Sequence, residues 1–439
     1  MRYQFFFYMS LALFLVCVST HAIADSSAPS AESTTKTITD IEIQGLTRTK
    51  KKVVLRELLF KIGDKYSLSA LTQSVQRLRN LRIFASVDWQ TQDIDDQRIR
   101  IILKLQERWT LIPIVKFTEG GDTKYYVLGV YNVNSFGRYF ESGAQFESWN
   151  NQPGGVLWFR EPRFMGHRLL LGGDLWSVKR PRPLYQADGR EQGSYVSLRK
   201  RANLFLDKEL KQGLVLGLGL EIIEDRIIAS EEEPLLNTDI KSHLDGFKPN
   251  RNFLLSFRSS LGKIDHENEL QSGKAVEVYA ANANRSLYSD DTFYKVDIDG
   301  KAFWRIKKRD NLALRLKFGA TNSEKLPNYY FLGGFENVRG YLDGQIRARK
   351  FWQSNFEYRR SFTNRSWYYL QGLVFADAMQ AVRPDTSLEQ RNNDIFSSLG
   401  IGMRIGSPKI YRFNLRMDLA LVTSHPATSR FSVGVQQFF

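Results

Sequence analysis

The groups from which this 439-residue chain could build catalytic or metal chemistry are five histidines, one cysteine and 47 acidic side chains. His21, His167, His243, His266 and His425 fall on separate turns and loops, with no second histidine four residues on and no HExxH. Cys17 stands alone, so no disulfide and no Cys-based metal site can form. Val16 precedes it, where a lipidated cysteine wants a small residue. No G-x-S-x-G elbow or P-loop occurs. Gly217-Leu218-Gly219 belongs to a lipid-facing strand alternation with no helix after it, and Glu231-Glu232-Glu233 reads as a solvated loop run. The sequence therefore predicts no enzyme, no metal and no cofactor or nucleotide. The chemistry that remains is charge: 62 Lys and Arg against 47 Asp and Glu, a net +15.

The elements that hold those charges begin with an export signal. Arg2 precedes an apolar run from Phe5 to Val18, and Ala22-Ile23-Ala24 supplies an A-x-A cleavage site, so residues 1–24 read as a signal peptide. Its removal takes Cys17 away and leaves a mature charge of about +14, since Arg2 is the only charged residue lost. In a bacterial envelope such a charge points to anionic lipid headgroups, lipopolysaccharide phosphates among them, and away from nucleic acid. Residues 25–37 are Ser/Thr/Ala-rich and read as a disordered linker.

Residues 38–107 read as a small α/β module. Ile38, Ile41 and Ile43 open a strand ended by Gly45. Thr47 or Thr49 is expected to cap a helix carrying Val53, Val54, Leu58 and Leu59, with Gly63 at its C-terminal cap. Ser67 is expected to cap a second helix, whose Leu68, Leu71, Val75, Leu78 and Leu81 lie on one face. Two alternating strands follow, Phe84, Val87 and Trp89 on one and Ile99, Ile101, Leu103 and Leu105 on the other. This β-α-α-β-β order is similar to a POTRA domain, the polypeptide-transport-associated module of outer-membrane assembly proteins.

Residues 110–439 alternate polar and apolar in segments that predict sixteen strands. Short turns (Asn134–Gly137, Asp207–Gln212, Lys307–Asp310, Ser361–Ser366, Gly406–Lys409) alternate with long connections (Lys179–Gln192, Glu224–Asn250, Thr321–Ile346, Met379–Asp394). Ile264–Gly273 reads as an overlong turn on the short side. After the leader no run of 18 apolar residues exists, while aromatics reach 13%. That combination excludes a helical membrane bundle and fits a mainly β chain, a 16-stranded transmembrane β-barrel.

Gly333-Gly334-Phe335-Glu336-Asn337-Val338-Arg339-Gly340-Tyr341 falls in the long loop between the eleventh and twelfth strands and resembles the V-R-G-F/Y loop motif of the BamA/TamA outer-membrane assembly factor superfamily. The resemblance extends to Asn355-Phe356-Glu357-Tyr358-Arg359 and Phe375-Ala376-Asp377-Ala378-Met379 on the next two strands. It implies that the loop folds into the lumen and that Arg339, flanked by Val338, Gly340 and Tyr341, pairs with Glu357 and Asp377. Met379 stands where the family has Gly. A guanidinium presents a planar fork of donors that can hold two carboxylates at once. The last strand, with Gly434 and a terminal Phe439, resembles the signal read by the outer-membrane assembly machinery, although Gln437 stands where an apolar residue is usual.

The resemblance further implies an outer-membrane protein that receives unfolded polypeptide in the periplasm and passes it into or across the membrane. Family geometry puts a candidate client-binding edge on the strand carrying Ser86, Val87 and Trp89. A weak seam is expected where Leu111–Phe117 meets Arg430–Phe439, because Pro113 cannot donate a ladder hydrogen bond. The expected partners are unfolded outer-membrane or secreted polypeptides, outer-membrane lipids and lipopolysaccharide, and accessory periplasmic lipoproteins or chaperones. With room for one POTRA module, the chain reads as a short member. The alternatives are a dedicated two-partner-secretion-like exporter and a passive porin.

Overall fold

The computed structural model describes residues 36–120, 123–149, 152–185, 191–228, 248–267, 269–334, 337–342, 344–382, 393–411, 413–424 and 428–435. The expected signal peptide, nearly all of the linker, His21, His243, His425, Phe335, Glu336, Gln437 and Phe439 lie outside the described residues.

The N-terminal module contains β1 (Thr37–Gln44), α1 (Lys51–Leu55), α2 (Leu68–Asn80), β2 (Phe84–Asp93) and β3 (Arg98–Glu107). Its sheet has the order β1-β3-β2, with β1 parallel and β2 antiparallel to the central β3. The central strand supplies the inner face: Ile99, Ile101, Leu103 and Leu105 are all buried. Leu71, Val75 and Leu78 of α2 close over them at helical spacing. Ser67 caps α2 as expected, its Oγ accepting from the Ala70 amide at 3.3 Å.

The first helix differs from expectation. It stops at Leu55, its N-cap Lys50 makes no side-chain cap, and Leu58 and Leu59 lie beyond it. Thr47 and Thr49 serve a carboxylate on β3 instead: Glu107 accepts from Thr47 Oγ1 at 2.7 Å, the Arg48 amide at 3.0 Å and the Thr49 amide at 2.7 Å. Gly63 has a positive φ of 96° in the turn leading toward α2 rather than at a helix end.

The rest of the chain forms one antiparallel sheet of sixteen strands. They are β4 (Leu111–Gly120), β5 (Thr123–Ser135), β6 (Phe140–Trp149), β7 (Gln152–Glu161), β8 (Leu169–Tyr185), β9 (Glu191–Lys211), β10 (Leu214–Ile228), β11 (Asn250–Glu267), β12 (Leu270–Ala283), β13 (Phe293–Lys307), β14 (Asp310–Thr321), β17 (Lys350–Asn364), β18 (Tyr369–Val382), β19 (Asn393–Gly406), β20 (Asn414–Val422) and β21 (Ser429–Val435). A small hairpin, β15 (Tyr330–Leu332) with β16 (Ile346–Ala348), sits in the loop between β14 and β17. β4 and β21 are the two ends of the sheet, and among the described residues no ladder joins them.

Period-two alternation divides the wall. On β10, Leu218, Leu220 and Ile222 point outward at 69, 48 and 49% exposure, whereas Glu221 and Ile223 point inward and are buried. Gly217 and Gly219 are on the inward side, so only Leu218 of that triplet faces outward; a Cβ on Gly217 would sit 1.9 Å from Asp207 Oδ1. Many outward side chains are therefore apolar and exposed, which suits a wall solvated by lipid. No helix among the described residues is long and apolar enough to cross a membrane.

The expected long turn at residues 264–273 is a correction. β11 runs to Glu267 and β12 starts at Leu270, so this is a tight hairpin that projects past its neighbours. Its tip meets the α/β module, where Asn80 Nδ2 donates to Asp265 Oδ1 at 2.9 Å.

The module is seated on the end of the sheet that carries the short turns. Lys50 N donates to Gly137 O at 2.8 Å in the β5–β6 turn. Gly137 has φ 66°, and a Cβ there would lie 2.0 Å from Arg48 O, so only glycine permits this approach. Glu57 accepts from Arg77 of α2 at 2.8 Å and from Arg163 of the β7–β8 turn at 2.6 Å. Trp109, just before β4, donates its amide to Lys409 O at 2.9 Å and accepts from Tyr411 N at 3.1 Å in the β19–β20 connection.

Candidate functional site

The loop between β14 and β17 is tied down along its length. Lys325 Nζ donates to Asn250 Oδ1 at 2.7 Å, and Arg199, paired with Asp225, donates to Pro327 O at 2.7 Å. Tyr330 packs edge-on against Phe351, and its hydroxyl donates to Val296 O at 3.0 Å. Val338 and Ile346 are fully buried against Phe351, Met379 and Phe396. Met379, at the position where glycine was expected, fills this apolar contact.

Arg339 lies at the end of that descent and is 1% exposed. Its fork meets Asp377 in two parallel bonds, Nε to Oδ2 and Nη2 to Oδ1, both 2.8 Å. Its amide donates to the same Oδ2 at 3.1 Å. Nη1 turns to Glu357 Oε1 at 2.5 Å. The guanidinium stacks over Phe375 at 3.5 Å from the ring centroid. Both carboxylates are where the sequence puts them, Glu357 on the twelfth barrel strand β17 and Asp377 on the thirteenth, β18. The neighbours of the motif arginine are fixed too. Gly340 has φ 94°, and a Cβ there would lie 2.9 Å from Val422 Cγ2, so the loop backbone runs against the wall of β20. Tyr341 stacks edge-on with Phe396, bonds to Ser424 Oγ, and accepts from the Ser397 amide at 3.0 Å.

The structure adds members that the sequence reading missed. Arg359 donates to the second oxygen of Glu357 at 2.6 Å and to Gln271 Oε1 at 2.9 Å. Arg404 of β19 pairs with Asp418 of β20 at 2.7 Å and stands 3.8 Å from Glu357. Arg416 approaches Asp418 at 3.6 Å. Asn355 Nδ2 bridges Asp377 Oδ1 at 2.9 Å and the loop carbonyl of Asn337 at 2.8 Å. Charged residues at inward positions of β17, β19 and β20 were the available signal. Every acid in this buried network faces at least one guanidinium, the condition under which burial of ion pairs is tolerable.

The other expected site residues lie elsewhere. β2 is a sheet edge, but Val87 is buried in the module's own core and Trp89 packs on it. The Val87 carbonyl already accepts from Arg79 Nη2 at 3.1 Å, and Phe84 O from Arg108 Nε at 2.8 Å. Ser86 lines a cavity of about 180 Å³ between β2 and the β11–β12 hairpin, with His266 on its far side. The exposed residues of the edge are Asp88 and the run Gln90–Asp93. His167 lies on the β7–β8 turn, far along the chain from His266, and neither belongs to the lumenal network. Gly434 lies on β21, paired with Arg416.

A sixteen-strand membrane barrel, one long loop clasped inside it and a β-α-α-β-β module across its turn end define the POTRA-bearing barrels of the bacterial outer membrane. Residues 134–439 match the Omp85 superfamily domain and residues 36–108 match POTRA, the surface antigen variable number repeat. The chain belongs to the Omp85 superfamily, and its place is the outer membrane of a Gram-negative cell with the POTRA module in the periplasm. A putative outer membrane protein assembly factor of Treponema pallidum is 41% identical over 71 residues, which is 16% of this chain and 8% of that protein. The chain thus matches under a tenth of that relative's length. Among solved structures, BamA of Haemophilus ducreyi lacking POTRA domains 1–3 is similar with a TM-score of 0.56 at 17% identity, over 91% of this chain and 84% of that one. CdiB of Escherichia coli gives 0.63 at 11% identity, over 91% and 75%. CdiB of Acinetobacter baumannii gives 0.57 at 15%, over 91% and 73%.

Proposed function

We propose that this chain is an outer-membrane protein assembly or translocation factor that takes unfolded polypeptide from the periplasm into or across the membrane, acting by strand exchange rather than by catalysis. The observation that carries the reading is that, among the described residues, the sheet has two ends that no ladder joins. Fourteen strands are paired on both sides, while β4 and β21 are each laddered on one side only among the described residues. An unpaired strand edge presents backbone donors and acceptors to an incoming strand. Pro113 on β4 removes one donor from any ladder closing there. Superfamily membership and the POTRA module support the same reading.

A client strand would be received first on the exposed edge Gln90–Asp93 of β2 and then at the seam. The lumenal clasp holds the loop in place while the seam works. Accessory lipoproteins or chaperones would dock on the periplasmic module. A photo-crosslinker placed along Ser86–Gln92 and along β21 in living cells tests this. Capture of nascent outer-membrane or secreted polypeptides at both places is expected. Capture of one dedicated protein would make the chain an exporter. A barrel that conducts ions steadily without residues 38–107 and captures nothing would be a porin.

A further inference from the structure

The outer face of β7–β11 carries a feature that strand exchange does not use. Cross-strand partners share a face, so the register reads off rows on the lipid side. Leu157, Leu175, Ala202, Ile222 and Phe253 form one row, and Phe159, Gly173, Leu204 and Leu220 the row nearer the periplasm. Gly173 and Ala202 interrupt this leucine wall. Around them opens a depression of about 480 Å³ rimmed by Leu157, Leu175, Leu204 and Ile222.

The next row toward the cell exterior is charged. It places Lys200 beside Glu224 and Arg251, and the row beyond adds Lys179 and Arg226. Lys200 is exposed, and the side chains of Arg226 and Arg251 are 48 and 65% exposed. Glu224 is bracketed by those two arginines at 2.8 Å each, and Asp290 accepts the Arg251 amide at 2.6 Å. Among the described residues, four cations therefore face two carboxylates at the outer edge of the apolar band. On the β17–β19 wall the outward row Trp352, Gln380 and Ile395 carries no charge, and Lys350 follows two residues nearer the β14–β17 loop.

We propose that this face is a binding site for a phosphorylated, multiply acylated glycolipid of the outer leaflet, lipopolysaccharide in this membrane. Its phosphate would lie on Lys200, Arg226 and Arg251, and an acyl chain would fill the depression at Gly173 and Ala202. The spacing matches: Lys200 and Ala202 are two residues apart on one face, about 7 Å along the strand. That is the step from a headgroup phosphate to the start of its chains. Cations at a membrane surface attract anionic headgroups, and buried methylenes supply the remainder. The site rests on the barrel's place in the membrane and not on its handling of polypeptide.

The test uses the full chain purified in detergent, with bisphosphorylated hexa-acyl lipid A as the probe and native mass spectrometry as the readout. Removing both phosphates from the lipid is expected to weaken binding about tenfold or more, and so is the triple change Lys200→Ala, Arg226→Ala, Arg251→Ala. Ala202→Phe, which fills the depression, is expected to weaken lipid A about threefold or more. Lys208→Ala, on the same outward face at the periplasmic end, should leave binding unchanged. The dephosphorylated lipid tests the site on the native protein, whatever the fate of a variant. Binding that survives the triple change or the loss of phosphates overturns the site. So does displacement by inorganic phosphate at matched concentration, an equal loss in Lys208→Ala, or indifference to Ala202→Phe.

Discussion

The two ends of the sixteen-strand sheet and its β17–β20 wall are built from the same alternating pattern and held in opposite ways. On β17, Gln353, Asn355, Glu357 and Arg359 are all fully buried, because the β14–β17 loop lies on them and every charge finds a partner. On β4 and β21 the outward Val115, Phe431 and Val433 are 70, 66 and 54% exposed, and no described ladder joins the strands. β17 is fifteen residues long and the described β21 seven. Among the described residues a fastening lies beside the seam, at the periplasmic end and outside the strands. Trp109 pairs with Ile410, tying the start of β4 to the β19–β20 connection. Among the described residues, then, a network of buried ion pairs holds the β17–β20 wall, while no ladder joins β4 to β21.

The largest effect is expected from abolishing the contrast. A disulfide engineered as Val115→Cys with Val433→Cys, or a neighbouring pair, should eliminate assembly activity in cells and release it on reduction. A control disulfide across Tyr358 and Val374, already cross-strand partners, should cost nothing. Unchanged activity in the seam-locked protein would remove the lateral opening from the mechanism. Next comes the clasp. Arg339→Ala leaves Glu357 and Asp377 buried without their shared cation, which costs about 3–5 kcal/mol. The barrel should unfold at clearly lower temperature, followed by its gel mobility with and without heating. Arg339→Lys keeps the charge but loses the fork, so it should fall between the two. Equal stability of Arg339→Ala and the natural protein would mean that the clasp is not what holds the wall.

Much of this contrast was legible in the sequence. Period-two alternation gave the strand number, and the motif with its two acids placed Arg339, Glu357 and Asp377 on the right elements. What could not be read depends on partners far along the chain. Arg404 and Asp418 look like any lumenal polar residues until the register brings them beside Glu357. Thr47 and Thr49 have a capping pattern, but Glu107 competes for them from β3. The β11–β12 hairpin read as a loop because Asp265, His266 and Glu267 lie beyond the membrane, where neither face of a strand need be apolar. The seating of the POTRA module leaves no periodic trace, since it depends on single contacts such as Gly137 against Arg48.

That seating depends on one buried carboxylate at the periplasmic rim. Glu57 is 3% exposed and holds arginines of both the module and the barrel. Glu57→Gln should weaken docking by about 1.5–3 kcal/mol, the worth of hydrogen bonds to a charged group. Amide exchange in the β5–β6 turn should then accelerate while the lumenal clasp stays protected. If both regions accelerate together, the two holdings are one cooperative unit.

The smallest expected effect is a pH response of the same rim. Burial pushes the Glu107 carboxyl up, but the hydroxyls of Thr47 and Thr49 and the amides of Arg48 and Thr49 outweigh it, so the group lies below its ordinary value. A depressed folded pKa adds stability above the unfolded value and loses it as pH falls through the folded one. The 47–49 segment should therefore hold at neutral pH and loosen only below about pH 4. It carries Arg48, whose guanidinium lies 4.7 Å over the Trp109 ring, so the loosening should be seen as a change in tryptophan fluorescence. Glu107→Gln should remove the acid transition and show the loosened signal at every pH. A transition that persists in Glu107→Gln would assign it to another carboxylate of the rim.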